Sequence, residues 1–170
     1  PIRPIDHTTG IVAVNAVINV EYAARFAAAL PTFFETLSET GIPYRVAFVH
    51  LAAGTVDGDL PWIDESMDPA AAAVAALDMV AGATGDDDGL FFMLDAAIDA
   101  NRSWLIDASE AWAAAPLNLV GINDDQEQSG INATVFIDGA RRYKPFGEDV
   151  AVHALGGDYP SGCDDTVPAK

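Results

Sequence analysis

The sequence predicts a doubly wound α/β fold, with a mainly parallel central sheet and helices on both faces. Two observations carry that expectation. Apolar, β-branched runs such as GIVAVNAVINV (10–20) alternate with Ala- and Leu-rich stretches of helical spacing, the pattern of a parallel sheet covered by its crossovers. A length of 170 residues, 51% of them hydrophobic, fits one domain with a sizeable core. That core is expected over about 10–156, with 157–170 as a tail rich in turn residues.

The first strand is placed at 10–20, because Ile, Val and Ala dominate it. EYAARFAAALPTFFETLSETG (21–41) follows as a helix ended by Gly41, with Pro31 expected to kink it. YRVAFVHL (44–51) is the second strand. From Ala52 to Pro69 the residues are those of turns, and an irregular crossing loop is expected. DPAAAAVAALDMVAG (68–82) is a helix with Asp68 as N-cap and Pro69 in its first turn. GLFFMLDAAIDANRS (89–103) puts Leu90, Met93, Leu94, Ala97 and Ile98 on one helical face. SWLIDASEAWAAA (103–115) reads as a short helix or broken turn. LNLVGI (117–122) is a buried strand, NATVFIDGARRYKP (132–145) an amphipathic helix, and DVAVHAL (149–155) a last strand.

Charge narrows the function. Against 26 acidic side chains stand 8 basic ones, a formal charge of −18, which repels nucleic acid and anionic membranes. Positive charge clusters only at Arg141-Arg142-Lys144, too few residues for a phosphate-binding groove. No apolar run is long enough to span a bilayer. Cys163 is the sole cysteine, so a disulfide requires a cysteine outside this chain. The first residue is Pro1 rather than Met, which predicts a processed mature form or a fragment.

Most catalytic signatures are absent. The sequence has no GxGxxG or GxxxxGK[ST] phosphate loop, no GxSxG elbow and no HExxH. His7, His50 and His153 are scattered, with His153 read as a half-buried structural residue. Asp86-Asp87-Asp88-Gly89 and Asp57-Gly58-Asp59 resemble pieces of calcium loops, but neither continues to a bidentate Glu. Trp62, Trp104 and Trp112 read as packing anchors. Polar residues do gather where strands end: Asn15 to Asn19, His50, and Asn123 to Glu127. In doubly wound sheets ligands bind at such carboxyl ends.

The strand followed by Asp124-Asp125-Gln126-Glu127-Gln128-Ser129 resembles the S/T-D-E-x-D-x-S segment of bacterial von Willebrand factor type A (VWA) domains. GIPYRVAFVHL (41–51) is similar to that family's second strand. ATGDDDGLFFMLDAAIDANRSWLIDASEAWAAAPLNLVGIND resembles its Gly- and acid-rich loop, helix, turn and fourth strand. The likeness spans roughly residues 10–163. It implies a doubly wound fold and a divalent-cation adhesion site at the carboxyl edge of the sheet. In the family that site takes the first Asp and both Ser of D-x-S-x-S, a later Thr, and an Asp after the fourth strand. The matching positions here are Asn15, Val17 and Asn19, with Thr84 for the Thr and Asp124 for the Asp. Amides and a valine replace a carboxylate and two hydroxyls. Mg²⁺ prefers hard oxygen ligands that include carboxylates, so the cation site is expected to have lapsed.

The sequence therefore predicts a non-enzymatic domain for protein–protein association, secreted or displayed on a cell, filament or virion surface, that assembles with itself or within a larger complex. After Cys163 it lacks the last strand and helix of a full VWA domain, which predicts a trimmed fold or a fragment. One alternative keeps Mg²⁺ or Ca²⁺ on Asn15, Asn19 and Asp124 as a cation-dependent adhesion domain. A remote alternative is a hydrolase using Asp124, Glu127 and His50.

Overall fold

The computed structural model describes residues 6–14, 20–50, 62–80, 90–100, 110–122, 131–144 and 150–155. Strand β1 (Thr8–Val14) is followed by helix α1 (Val20–Glu39), β2 (Tyr44–His50) and the two-residue β3 (Ile63–Asp64). Helices α2 (Pro69–Val80), α3 (Leu90–Ala100) and the short α4 (Glu110–Ala114) precede β4 (Leu117–Ile122). Helix α5 (Ala133–Arg141) and strand β5 (Val150–Leu155) complete the described elements.

The sheet has the order β3-β2-β1-β4-β5. β1 pairs in parallel with β2 and with β4, and β4 pairs in parallel with β5. β3 alone runs antiparallel, against β2. This is the predicted doubly wound, mainly parallel architecture. Its strands are apolar on both sides because each side meets helices. On one face Val12, Val14, Tyr44, Val46 and Phe48 pack with Leu30 and Phe34 of α1 and Ala72, Ala73 and Ala76 of α2. On the other, Ile11, Ala13, Ala47, Val49, Leu117 and Leu119 meet Leu94, Ala97 and Ile98 of α3 and Phe136 and Ala140 of α5. Phe91 stacks on Phe136 at 4.8 Å and ties those two helices together.

Local chemistry sets the helix ends. The Asp68 carboxylate accepts the backbone N–H of Ala70 at 3.0 Å and of Ala71 at 3.3 Å, the predicted cap of α2. Asn132 caps α5 through the N–H of Thr134 at 2.8 Å. After α1, Gly41 takes φ +65°, a conformation that other residues adopt only with strain, and its N–H reaches the Ser38 carbonyl.

Pro31 lies inside helix α1, where the sequence places it. Three expectations are corrected. The first strand covers Thr8–Val14, and Val20 already belongs to α1. An apolar run does not by itself distinguish strand from helix, and the Ala-rich stretch after it draws Val20 into the helix. The crossing loop contains β3, held by an Asp64 carboxylate that accepts the N–H of Ser66 at 3.0 Å and its hydroxyl at 2.6 Å. His153 is exposed, because β5 lies at the rim of the sheet.

Candidate functional site

Topology points to the carboxyl end of the sheet. From β1 the chain crosses to β2 on one side, while β4 lies on the other, so the winding reverses between β1 and β4. At such a reversal the two departing loops open a crevice. Register makes the placement concrete: Val14, the last residue of β1, is paired with Ile122, the last of β4. The segments that begin at Asn15 and at Asn123 therefore leave the sheet from neighbouring points. Asn15, Val17, Asn19, Thr84, Asp124, Glu127 and Cys163 themselves lie outside the described residues, as do the Asp57-Gly58-Asp59 and Asp86-Asp87-Asp88 stretches and Trp104.

His50 is the one sequence-selected site residue that is described. It ends β2 directly across from Val14 and is half-buried. Its Nδ1 is shielded from solvent and has no hydrogen-bond partner among the described residues. Among those residues no group of three or more His, Cys, Asp or Glu is arranged to hold a metal ion. No described helix is long and apolar enough to cross a membrane.

A second polar assembly occupies the opposite, amino end of the sheet. Arg45 is 3% exposed, and its Nε donates to the Thr9 hydroxyl at 3.1 Å. The guanidinium lies over the rings of Trp112, at 4.6 Å from the centroid, and Trp62, at 4.9 Å. Flat cations bind indole faces well, and more strongly where water is excluded. Burial pushes the Arg45 pKa down to about 10, so the group stays charged at neutral pH. Lys144 is also buried and donates from Nζ to the carbonyls of Trp112 and Ala113, at 3.3 and 3.4 Å. Those carbonyls sit in the last turn of α4, where a cation is favoured. His7 meets the edge of the Trp112 ring at 4.6 Å. On the other face of the sheet, the Asn118 amide donates to the Thr8 hydroxyl at 3.0 Å, cross-linking β4 to β1.

Two of the chain's eight basic residues are thus spent inside, around Trp112. Sequence reasoning found Trp62 and Trp112 as anchors but not the arginine they enclose. The available signal was a lone Arg in YRVAFVHL, a charge within a strand otherwise fit for full burial. Such a residue must carry its partners with it. Here those partners include two indole rings and a hydroxyl, which suit a fixed structural cation.

Compared with known proteins, the chain matches no family model and no curated protein.

Proposed function

We propose that this is a non-enzymatic protein-association domain of VWA-like type, secreted or surface-displayed, which assembles with itself and whose cation-binding adhesion site has lapsed. One observation carries the reading. The Val14–Ile122 pairing starts the two segments that resemble the adhesion motifs from adjacent points at the reversal of the sheet. The residues offered there are Asn15, Val17, Asn19 and Asp124, a single carboxylate and two amides. That set is too poor in hard anionic oxygen to offset dehydration of Mg²⁺. Contacts between protein surfaces then remain as the means of recognition. Nothing orders Asp124, Glu127 and His50 into nucleophile, base and orienter.

The test is thermal unfolding in EDTA and then in millimolar Mg²⁺ or Ca²⁺, on wild type and Asp124→Ala, with sedimentation at physiological salt. A cation bound only by the folded state at a hundredfold excess over Kd adds about 2.7 kcal/mol, which is several degrees of Tm in a chain of this size. The expected result is no cation-specific shift in either protein and a species larger than the monomer. A shift abolished by Asp124→Ala would restore the cation-dependent adhesion reading. A strictly monomeric profile would overturn self-assembly.

A further inference from the structure

Helix α5 opens with Asn132-Ala133-Thr134, an N-x-T triplet whose middle residue is not proline. In exported proteins that pattern is the acceptor for asparagine-linked glycosylation. The triplet alone decides nothing; the fold decides whether a sugar can stand there. Asn132, Ala133 and Thr134 are all exposed, and the helix first turns into the core at Phe136.

The Asn132 side chain divides its polar atoms between different tasks. Its Oδ1 accepts the backbone N–H of Thr134 at 2.8 Å and caps α5. Its Nδ2, the atom that carries an N-linked sugar, donates to nothing among the described residues. A substituent on Nδ2 keeps the Oδ1 acceptor, so a glycan there displaces neither the cap nor any core contact. Capping explains Asn132 but not the hydroxyl two residues on. Thr134 Oγ1 is exposed and bonds to no described residue, so the group that distinguishes an acceptor triplet from an ordinary cap is unengaged. Val135 is 65% exposed, and three positions from Asn132 it is that residue's neighbour on the helix surface. A sugar on Asn132 would shield it.

We propose that Asn132 is a glycosylation site, which takes its sugar from an oligosaccharide activated as a lipid pyrophosphate. The bond from Nδ2 to the anomeric carbon forms as the bond from that carbon to the pyrophosphate oxygen breaks. The amide gives up one proton, and the lipid pyrophosphate leaves with the electron pair. The Thr134 hydroxyl is the group recognised beside the acceptor. The inference deepens the secreted or surface-displayed reading above and rests on it. Sugar over the first turn of α5 takes that surface out of protein contact and leaves association to other faces.

The experiment separates the natural source into cytosol and exterior, the cell surface included, and maps the chain from each by mass. Trypsin cuts after Arg102 and Arg141, so the peptide 103–141 holds Asn132 apart from a second triplet, Asn101-Arg102-Ser103. That second triplet lies outside the described residues. The expected result is an exported chain whose 103–141 peptide carries sugar mass that peptide-N-glycosidase removes, leaving aspartate where Asn132 stood. In the same host, Thr134→Ser keeps that mass, whereas Thr134→Ala and Asn132→Asp lose it. Aspartate still caps a helix, so Asn132→Asp keeps the wild-type circular dichroism. An exported chain with 103–141 unmodified would overturn the glycosylation site and leave export standing. A chain found only in the cytosol and unmodified would overturn both, and a modified cytosolic chain would uphold the site and overturn export.

Discussion

Arg45 stacks on Trp62 and Trp112 while its Nε donates to Thr9, so three separate contacts depend on one planar cation. An ammonium keeps the charge and loses the plane and the fixed fork of donors. Arg45→Lys is therefore expected to destabilise the fold by about 2–3 kcal/mol, roughly one hydrogen bond plus the difference between stacked and point-charge contacts. The shift in the urea midpoint measures it, and a change below about 0.5 kcal/mol would mean that the indoles pack without needing the guanidinium. The pH dependence has a definite sign. The folded-state pKa, about 10, lies below the ordinary arginine value, so the charged form is the costlier one to bury. That cost applies in full below about pH 10 and is relieved only as pH climbs from there toward the ordinary arginine value. This cluster was hard to read in the chain because it joins residues 9, 45, 62, 112 and 144, which meet only once strand order is known.

At the scale of elements, α3 combines a well-made inner face with a poorly arranged outer one. Leu94, Ala97 and Ile98 are fully buried, whereas Asp95 and Asp99 stand one turn apart on the exposed side. Partial desolvation, and then repulsion from Asp99, raise the Asp95 pKa above its ordinary value. The folded protein thus holds this proton more tightly than the unfolded chain. Stability from this site is fully present below the unfolded value of 3.8 and is lost as pH rises through the raised one. Asp95→Asn is expected to stabilise at pH 7 by a few tenths of a kcal/mol, the usual size of a like-charge pair one turn apart, and to be neutral at pH 3. Paired thermal melts at the two pH values decide it, and an equal gain at both would point to helix propensity instead. The buried side of α3 was legible from its spacing alone. So were β2, β4 and the Asp68 cap, where β-branched runs and cap chemistry are local signals. β3 was not, since two residues carry no period and its pairing with β2 is a tertiary choice. The candidate site at the carboxyl end was read from strand endings rich in Asn and Asp, whose residues lie outside the described ones. The register that brings Val14 beside Ile122 comes only from the assembled sheet.

For the molecule as a whole, a charge of −18 is the dominant long-range force. With 26 acidic side chains against 8 basic ones, most carboxylates cannot be matched by a cation of the same chain. Compactness then works against self-repulsion, and screening should help the fold. The Debye length shrinks from about 30 Å at 0.01 M salt to about 10 Å at 0.1 M, less than the width of the domain. Tm is therefore expected to rise by several degrees as NaCl is added over that range, and to level off beyond it. Comparing NaCl with MgCl₂ at equal ionic strength separates screening from site binding. Equal curves mean that the acidic surface is a diffuse field that any cation quiets. A surplus with Mg²⁺ that vanishes in Asp124→Ala would locate a bound ion at the end of β4 instead. Repeating the melts at two protein concentrations separates the gain within one protomer from a gain through association, because only association depends on concentration. A Tm that falls with added NaCl would show that attractive pairs outweigh the net charge, and would require an ordered network of ion pairs on the surface.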